Sequence, residues 1–229
     1  MLVEGMSMRG IARLTGVSIN TVSKLLRDAG NAAVSYHDQH VRGITGERTI
    51  QCDEIWSFVY AKASNVAEAK AAPRDAGDAW TWVALDSDSR LIVSYLLSGA
   101  RDDFSAVAFM TDLAARLEEP PILATDALAS YRMGVKWAFG DSAGHIPCKG
   151  GTSYVERQNL TMRMGMRRFA RRTNGFSKRF EYHLSLIALH TLYYNFCRIH
   201  STVRCSPAMA AGIDDHLHDL EWIVGLLPK

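Results

Sequence analysis

No stretch restricts the fold of this chain more than TIQCDEIWSFVYAK, residues 49–62, which sets two acids in the middle of a run otherwise suited to burial. Its β-branched and aromatic residues predict a strand. A carboxylate inside such a strand is costly unless it has a charged partner. The element that carries Asp53 must therefore be covered by something that answers its charge.

The segments that follow predict the rest of the layout. The Ala-rich ASNVAEAKAAPRDAGDA has the composition of a flexible loop, and WTWVALDSDSRLIVSYLLSG reads as a hairpin turning at Ser87 to Ser89. A helix is expected over about 103 to 118, with Asp102 or Asp103 at its start and Pro120 and Pro121 ending it. ILATD is then a short buried strand ending at Asp126, followed by a helix over about 128 to 138 and a weak strand at HIPCK. SYVERQNLTMRMGMRRFARR, residues 153–172, reads as a basic helix, and SKRFEYHLSLIALHTLYYNFCRIH as a long helix with apolar positions at helical spacing. Three strands, helix, strand, helix, strand and closing helices give an α/β fold, a mixed sheet with helices packed against it. No internal repeat is visible.

The amino-terminal SMRGIARLTGVSINTVSKLLRDAG has the punctuation of two short helices around a tight turn. Ser7 and Ser18 stand as N-caps, Gly16 ends the first helix and Gly30 stops the second. Ala12, Gly16, Ile11, Val17, Val22 and Leu25 occupy the small, turn and apolar positions of a helix-turn-helix. Asn20, Thr21, Lys24 and Arg27 would then face outward, suited to base edges and phosphates of DNA. Such a module usually packs on a preceding helix, so residues 1–30 read as a DNA-binding segment truncated at its amino terminus. Residues 31–48 read as a linker, 49–205 as the main domain and 206–229 as a C-terminal tail.

Charge is distributed unevenly. The chain holds 26 Lys and Arg against 24 Asp and Glu, yet residues 157–180 carry eight bases (Arg157, Arg163, Arg167, Arg168, Arg171, Arg172, Lys178, Arg179) and no acid. Everything outside that window is therefore net acidic. A helix that lacks acids for i,i+4 pairing points to counter-charge from a partner, and a phosphate backbone supplies it. Cys52, Cys148, Cys197 and Cys205 show no paired spacing, so neither a zinc knuckle nor a disulfide framework is indicated. No apolar run approaches the roughly 20 residues of a membrane helix, and no signal-peptide pattern opens the chain. A cytoplasmic protein without a membrane or small-molecule partner is expected.

Asp53, Asp126 and Glu156 lie on two strands and a helix, and three converging carboxylates offer the hard oxygen ligands that suit two Mg²⁺ ions in phosphoryl transfer. CDEIW, TDALASY and YVERQNLTMR resemble the three acidic motifs of DDE transposases, in particular the InsB-type enzymes of small bacterial insertion sequences. The resemblance runs from about residue 49 to about 200, and the helix-turn-helix is also a family feature. It implies a ribonuclease H-like fold with a five-stranded mixed sheet, and Asp53, Asp126 and Glu156 as catalytic metal ligands for Mg²⁺, with Mn²⁺ as a substitute. It further implies DNA contact by Arg157, Asn159 and Arg163, with His145 and Lys149 as weaker matches. The implied function is a transposase acting on double-stranded DNA, both terminal inverted repeats and target, as a homo-oligomer at the bacterial nucleoid. Two rival readings remain, a DNA-binding regulator or inactive copy and another ribonuclease H-like nuclease or integrase.

Other polar residues have plainer expectations. Glu54 adjoins Asp53 but should point to the opposite strand face. Asp86 and Asp88 fit turn chemistry better than a metal site, Asp102 and Asp103 fit a helix start, and His183 and His190 fit packing.

Overall fold

The computed structural model describes residues 1–147, 151–170 and 174–228. Helix α1 (Met8–Thr15) and helix α2 (Ile19–His40) precede strand β1 (Thr49–Val59), and β2 (Gly77–Asp86) and β3 (Ile92–Ser98) form the hairpin after it. Helix α3 (Asp103–Ala114), β4 (Ile122–Thr125), α4 (Ala129–Phe139), β5 (Gly144–Pro147) and α5 (Ser153–Gly165) follow. A 3₁₀ turn (Arg167–Phe169), α6 (Phe180–Leu192) with a π-helical continuation (Tyr193–Cys197), α7 (Pro207–Ala210) and α8 (Leu220–Gly225) complete the chain.

The sheet order is β3-β2-β1-β4-β5. β1 pairs antiparallel with β2 and parallel with β4, so the predicted mixed sheet is observed. The two faces of β1 have different covers. Cys52 and Glu54 share a face with Trp82, whose ring packs against Phe109 of α3 and Tyr131 of α4. The odd-numbered Gln51, Asp53 and Ser57 look the other way, toward α5 and α6. The predicted turn is also in place: Asp86 is buried, accepts from Ser89 Oγ at 2.5 Å and pairs with Arg48 at 3.2 Å. Asp102 caps α3 through Ser105 N at 2.9 Å.

The amino-terminal helices differ from expectation in two ways. Both serine caps and the left-handed Gly16 are present, but α2 continues through Gly30 to His40, so residues 31–40 are helix rather than linker. Gly30 is there for close approach: a Cβ on it would meet Ser185 Cβ of α6 at 2.4 Å. The buried stripe of α2 runs Val22, Leu26, Ala29, Ala33, His37, which leaves Leu25 48% exposed, and Val17 in the turn is exposed as well, in place of the core roles assigned to them. Packing on α6, and not on α1 alone, selects that stripe.

A second correction concerns the basic stretch. α5 ends at Gly165 and the chain turns, so residues 153–172 do not form one helix. Arg171 and Arg172 lie outside the described residues, as do Lys149 and Cys148. Arg168 is buried, and its Nη1 donates to Ser177 Oγ at 3.1 Å and to the Tyr182 carbonyl at 2.5 Å. Its guanidinium is engaged inside the protein, and the expectation that it meets DNA phosphate is withdrawn. Ser177 Oγ in turn meets His183 Nδ1 at 2.7 Å, and His183 Nε2 meets Ser57 Oγ at 2.9 Å, which ties the turn to β1 and α6. His183 and His190 are thus buried packing residues, as their sequence context indicates.

Candidate active site

Gln51 sets the geometry. The first backbone N–H groups of a helix lack internal acceptors, and in α5 the cap residue Thr152 gives no side-chain bond to them. The side-chain amide oxygen of Gln51 on β1, Oε1, accepts from Tyr154 N at 2.8 Å and Val155 N at 3.1 Å. This docks the start of α5 on β1 two residues from Asp53. One turn further along α5, Asn159 Nδ2 donates to Asp53 Oδ2 at 2.8 Å. Asn159 is buried, so it holds Asp53 rather than lying open beside a partner.

Asp126 reaches the same place from β4. Cys52 pairs with Thr125 in the parallel ladder, so Asp126, one residue on, stands beside Asp53 at the strand end. Its Oδ1 accepts from Leu128 N at 2.8 Å, and its Oδ2 pairs with Arg101 at 2.8 Å. Arg101 also holds Glu54 Oε2, with Nη2 at 2.7 Å and Nε at 2.8 Å. Glu54 lies on the expected face, yet one oxygen each of Asp53, Glu54 and Asp126 fall within 4.8 Å of one another. The strand alternation held, but Asp126 at the end of its strand is reachable from both faces. Glu156 stands outside that tight group. It is exposed, accepts from Thr152 Oγ1 at 2.7 Å, and is close enough for its charge to act on Asp53.

The electrostatics follow from crowding acids in a half-buried place. Burial raises the Asp53 carboxyl above its ordinary range, the Asn159 bond opposes this, and Asp126 and Glu156 push it further up. Burial likewise lifts Glu54 to about 7 in spite of Arg101. Glu54 Oε1 and the Tyr131 hydroxyl are buried without a well-formed hydrogen bond among the described residues. Three acids against one guanidinium leave the centre with negative charge, and hard, clustered carboxylate oxygens are the donor set that Mg²⁺ or Mn²⁺ takes.

Residues 49–197 match the family model described as IS1 transposase. The chain belongs to the IS1 transposase family. Among solved structures, this IS1-family chain is similar to a chain of the simian T-cell lymphotropic virus intasome, determined in complex with PP2A regulatory subunit B56 gamma. The identity is 14% and the TM-score 0.50, covering 82% of this chain and 59% of that one, less than two thirds of its length. The Mos1 mariner paired-end complex with Mn aligns at 14% identity and TM-score 0.36 over 83% of this chain and 73% of that one. No curated protein matches the chain. The intasome likeness shows the fold, and the fold is ribonuclease H-like. No helix among the described residues is long and apolar enough to cross a membrane.

Of the residues expected at DNA, Asn159 and Arg168 are buried, and the other described ones of this family member are spread over several elements. Asn20, Thr21, Lys24 and Arg27 are exposed on α2, with Lys24 paired to Asp28 at 2.6 Å. Arg157 and Arg167 are exposed, Arg163 is half-buried with its Nε unpartnered among the described residues, and His145 on β5 contacts Thr125 Oγ1 at 3.0 Å. Sequence reading missed Gln51, Arg101 and the proximity of Glu54. Gln51 had a signal, a polar residue two places before Asp53 in a buried strand. Arg101 had none, because only the fold brings the β3–α3 loop to Asp126.

Proposed function

We propose that this chain is a DDE transposase that binds the terminal inverted repeats of its element and catalyses divalent-metal-dependent cleavage and joining of DNA strands. The observation that supports this most is the convergence of Asp53 and Asp126 on adjacent parallel strands, with α5 docked by Gln51 so that Asn159 and Glu156 flank them. In this reading Asp53 and Asp126 hold the metal and Glu156 completes the site from α5. Two Mg²⁺ ions held there would activate the attacking oxygen and stabilise the leaving one.

The chain's own groups do the rest. Asn159 fixes the rotamer of Asp53, Leu128 N fixes that of Asp126, and Thr152 holds Glu156 at the helix start. Such preorganisation matters because phosphoryl transfer depends chiefly on in-line positioning and charge stabilisation. Arg157, Arg163 and Arg167 sit on or just after the same helix and would grip phosphates beside the scissile bond, while Asn20, Thr21, Lys24 and Arg27 would contact the repeat. Two ends must be brought together, so the working form is a homo-oligomer on DNA.

The test uses the full chain, DNA carrying its element's end repeat, and Mg²⁺. Joined products as well as nicks are expected. Nicks alone would favour a nuclease of the same fold, and binding without cleavage would favour a regulator.

A further inference from the structure

Arg101 occupies a place that the mechanism does not use. It lies in the loop between β3 and α3, and that loop is fixed: Ser98 Oγ and Ser105 Oγ both donate to the Ala100 carbonyl, at 2.6 and 3.1 Å. From there its guanidinium reaches over the Trp80 ring, 5.3 Å from the centroid, into the acidic centre. Its Nη2 is shared between Asp126 Oδ2 and Glu54 Oε2, and its Nε adds a second bond to Glu54. The other Asp126 oxygen is already taken by Leu128 N. Both oxygens of Asp126 are therefore engaged, and the one not bound to backbone is held by a cation. A guanidinium cannot shed its charge, so it leaves only by moving.

We propose that Arg101 is the resident counter-cation of the acidic centre, that it competes with an incoming divalent ion for Asp126 Oδ2, and that Glu54 holds it there. This rests on the reading that Asp53 and Asp126 bind metal. Arg101 is a positioning residue in this account, and Glu54 is its anchor and not a metal ligand. The division of contacts supports that assignment: Glu54 gives the guanidinium two bonds from a nearly solvent-free side chain, while Asp126 gives one from a side chain about one-third exposed, 32%. The Asp126 contact is the one that water and ions can reach, and the one that would break first.

The test is a calorimetric titration of Mn²⁺, and separately Mg²⁺, into the full chain without DNA. Replacing the pair as Glu54→Gln with Arg101→Gln should tighten metal binding on the order of tenfold, and adding Asp126→Asn should remove the gain. Arg132→Gln deletes the same charge from an exposed residue that acts on His145, and should change affinity by less than about threefold. Should the double variant fail to fold, Arg101→Lys, which keeps the charge but loses the fork, should tighten binding by about threefold. Equal or weaker binding in the double variant, or in Arg101→Lys, would overturn the competition, and weaker binding in the double variant would make Glu54 a ligand. The double variant removes one acid and one base and leaves the net charge unchanged, so an equal gain from Arg132→Gln would mean that loss of any neighbouring positive charge suffices, and would overturn the proposal too. Absence of metal binding in every chain would bring down the metal reading itself, a result distinct from binding that ignores Arg101.

Discussion

β1 carries two polar clusters a few residues apart, and they are built on opposite terms. Around Asp53 and Glu54, three carboxylates cluster beside one guanidinium that pairs with only two of them, Glu54 and Asp126, and the second Glu54 oxygen is buried without a well-formed hydrogen bond among the described residues. Around Ser57, a neutral chain of Ser57, His183 and Ser177 closes on Arg168, with each group bonded to the next. Both clusters face partly buried space and both contain an arginine. The difference is that the second is complete within the protein, while the first has more negative charge than the protein compensates. Buried polar groups that are satisfied hold a fold together, and those left with surplus charge mark where a partner is to be expected. Arginine content alone does not separate the two, since Arg168 lies in the most basic stretch of the sequence and serves the fold.

The largest expected effect tests the neutral side of that contrast through His183, together with two buried histidines outside the cluster. Burial holds His183 at about 3, and His190 and His37 at about 4, so all three are uncharged in the folded chain at neutral pH. In the unfolded chain they take up protons below about pH 6.5. Their folded values are depressed, so the unfolded state binds more protons as pH falls below 6.5, and stability is lost from there downward. At pH 5 the loss is about 2 kcal/mol for each histidine. Thermal melting at pH 7 and pH 5 should therefore differ widely, and superimposable curves would remove the basis for calling this side closed.

Next in size is the contrast between neighbouring arginines. Arg168→Gln should cost about 3 kcal/mol in a denaturant titration, because the Tyr182 carbonyl and Ser177 lose their donor in a buried place. Arg167→Gln should leave stability within about 0.5 kcal/mol and weaken binding to all DNA sequences alike, with a shallower salt dependence. A reversed pattern would exchange their roles.

Asn159→Ala sharpens the charged side. Asp53 would lose its only side-chain donor among the described residues, and strand cleavage should fall by about 10- to 100-fold while DNA affinity stays unchanged. A parallel fall in DNA affinity would return Asn159 to the backbone-contact role that the sequence resemblance implied.

Much of this was legible in the sequence because the signals were local. The strand runs, the DSDSR turn, the serine caps and the acid of ILATD each carry their reason in neighbouring residues. Gly30 could not be read in that way. A glycine that ends a helix and one that admits another helix look the same, and Ser185, which decides between them, is far along the chain. Leu25 and Leu26 pose the same difficulty, since both fit a 3.6-residue period and only α6 selects Leu26. The arginine run was misread as continuous because nothing nearby announces that Arg168 turns inward to Ser177. At the site, two of the three expected acids are brought together, whereas Glu54 and Arg101 depend on contacts that only the folded sheet creates.

The most direct test of the central claim is a comparison of the chain with its Asp126→Asn variant, both shown to melt alike, in Mg²⁺-dependent cleavage and joining of end-repeat DNA. Loss of at least about a thousandfold in both products is expected, since the carboxylate proposed to hold metal is gone while its shape and the Leu128 bond remain. Activity equal to that of the unaltered chain would contradict the account and place the chemistry elsewhere in the molecule.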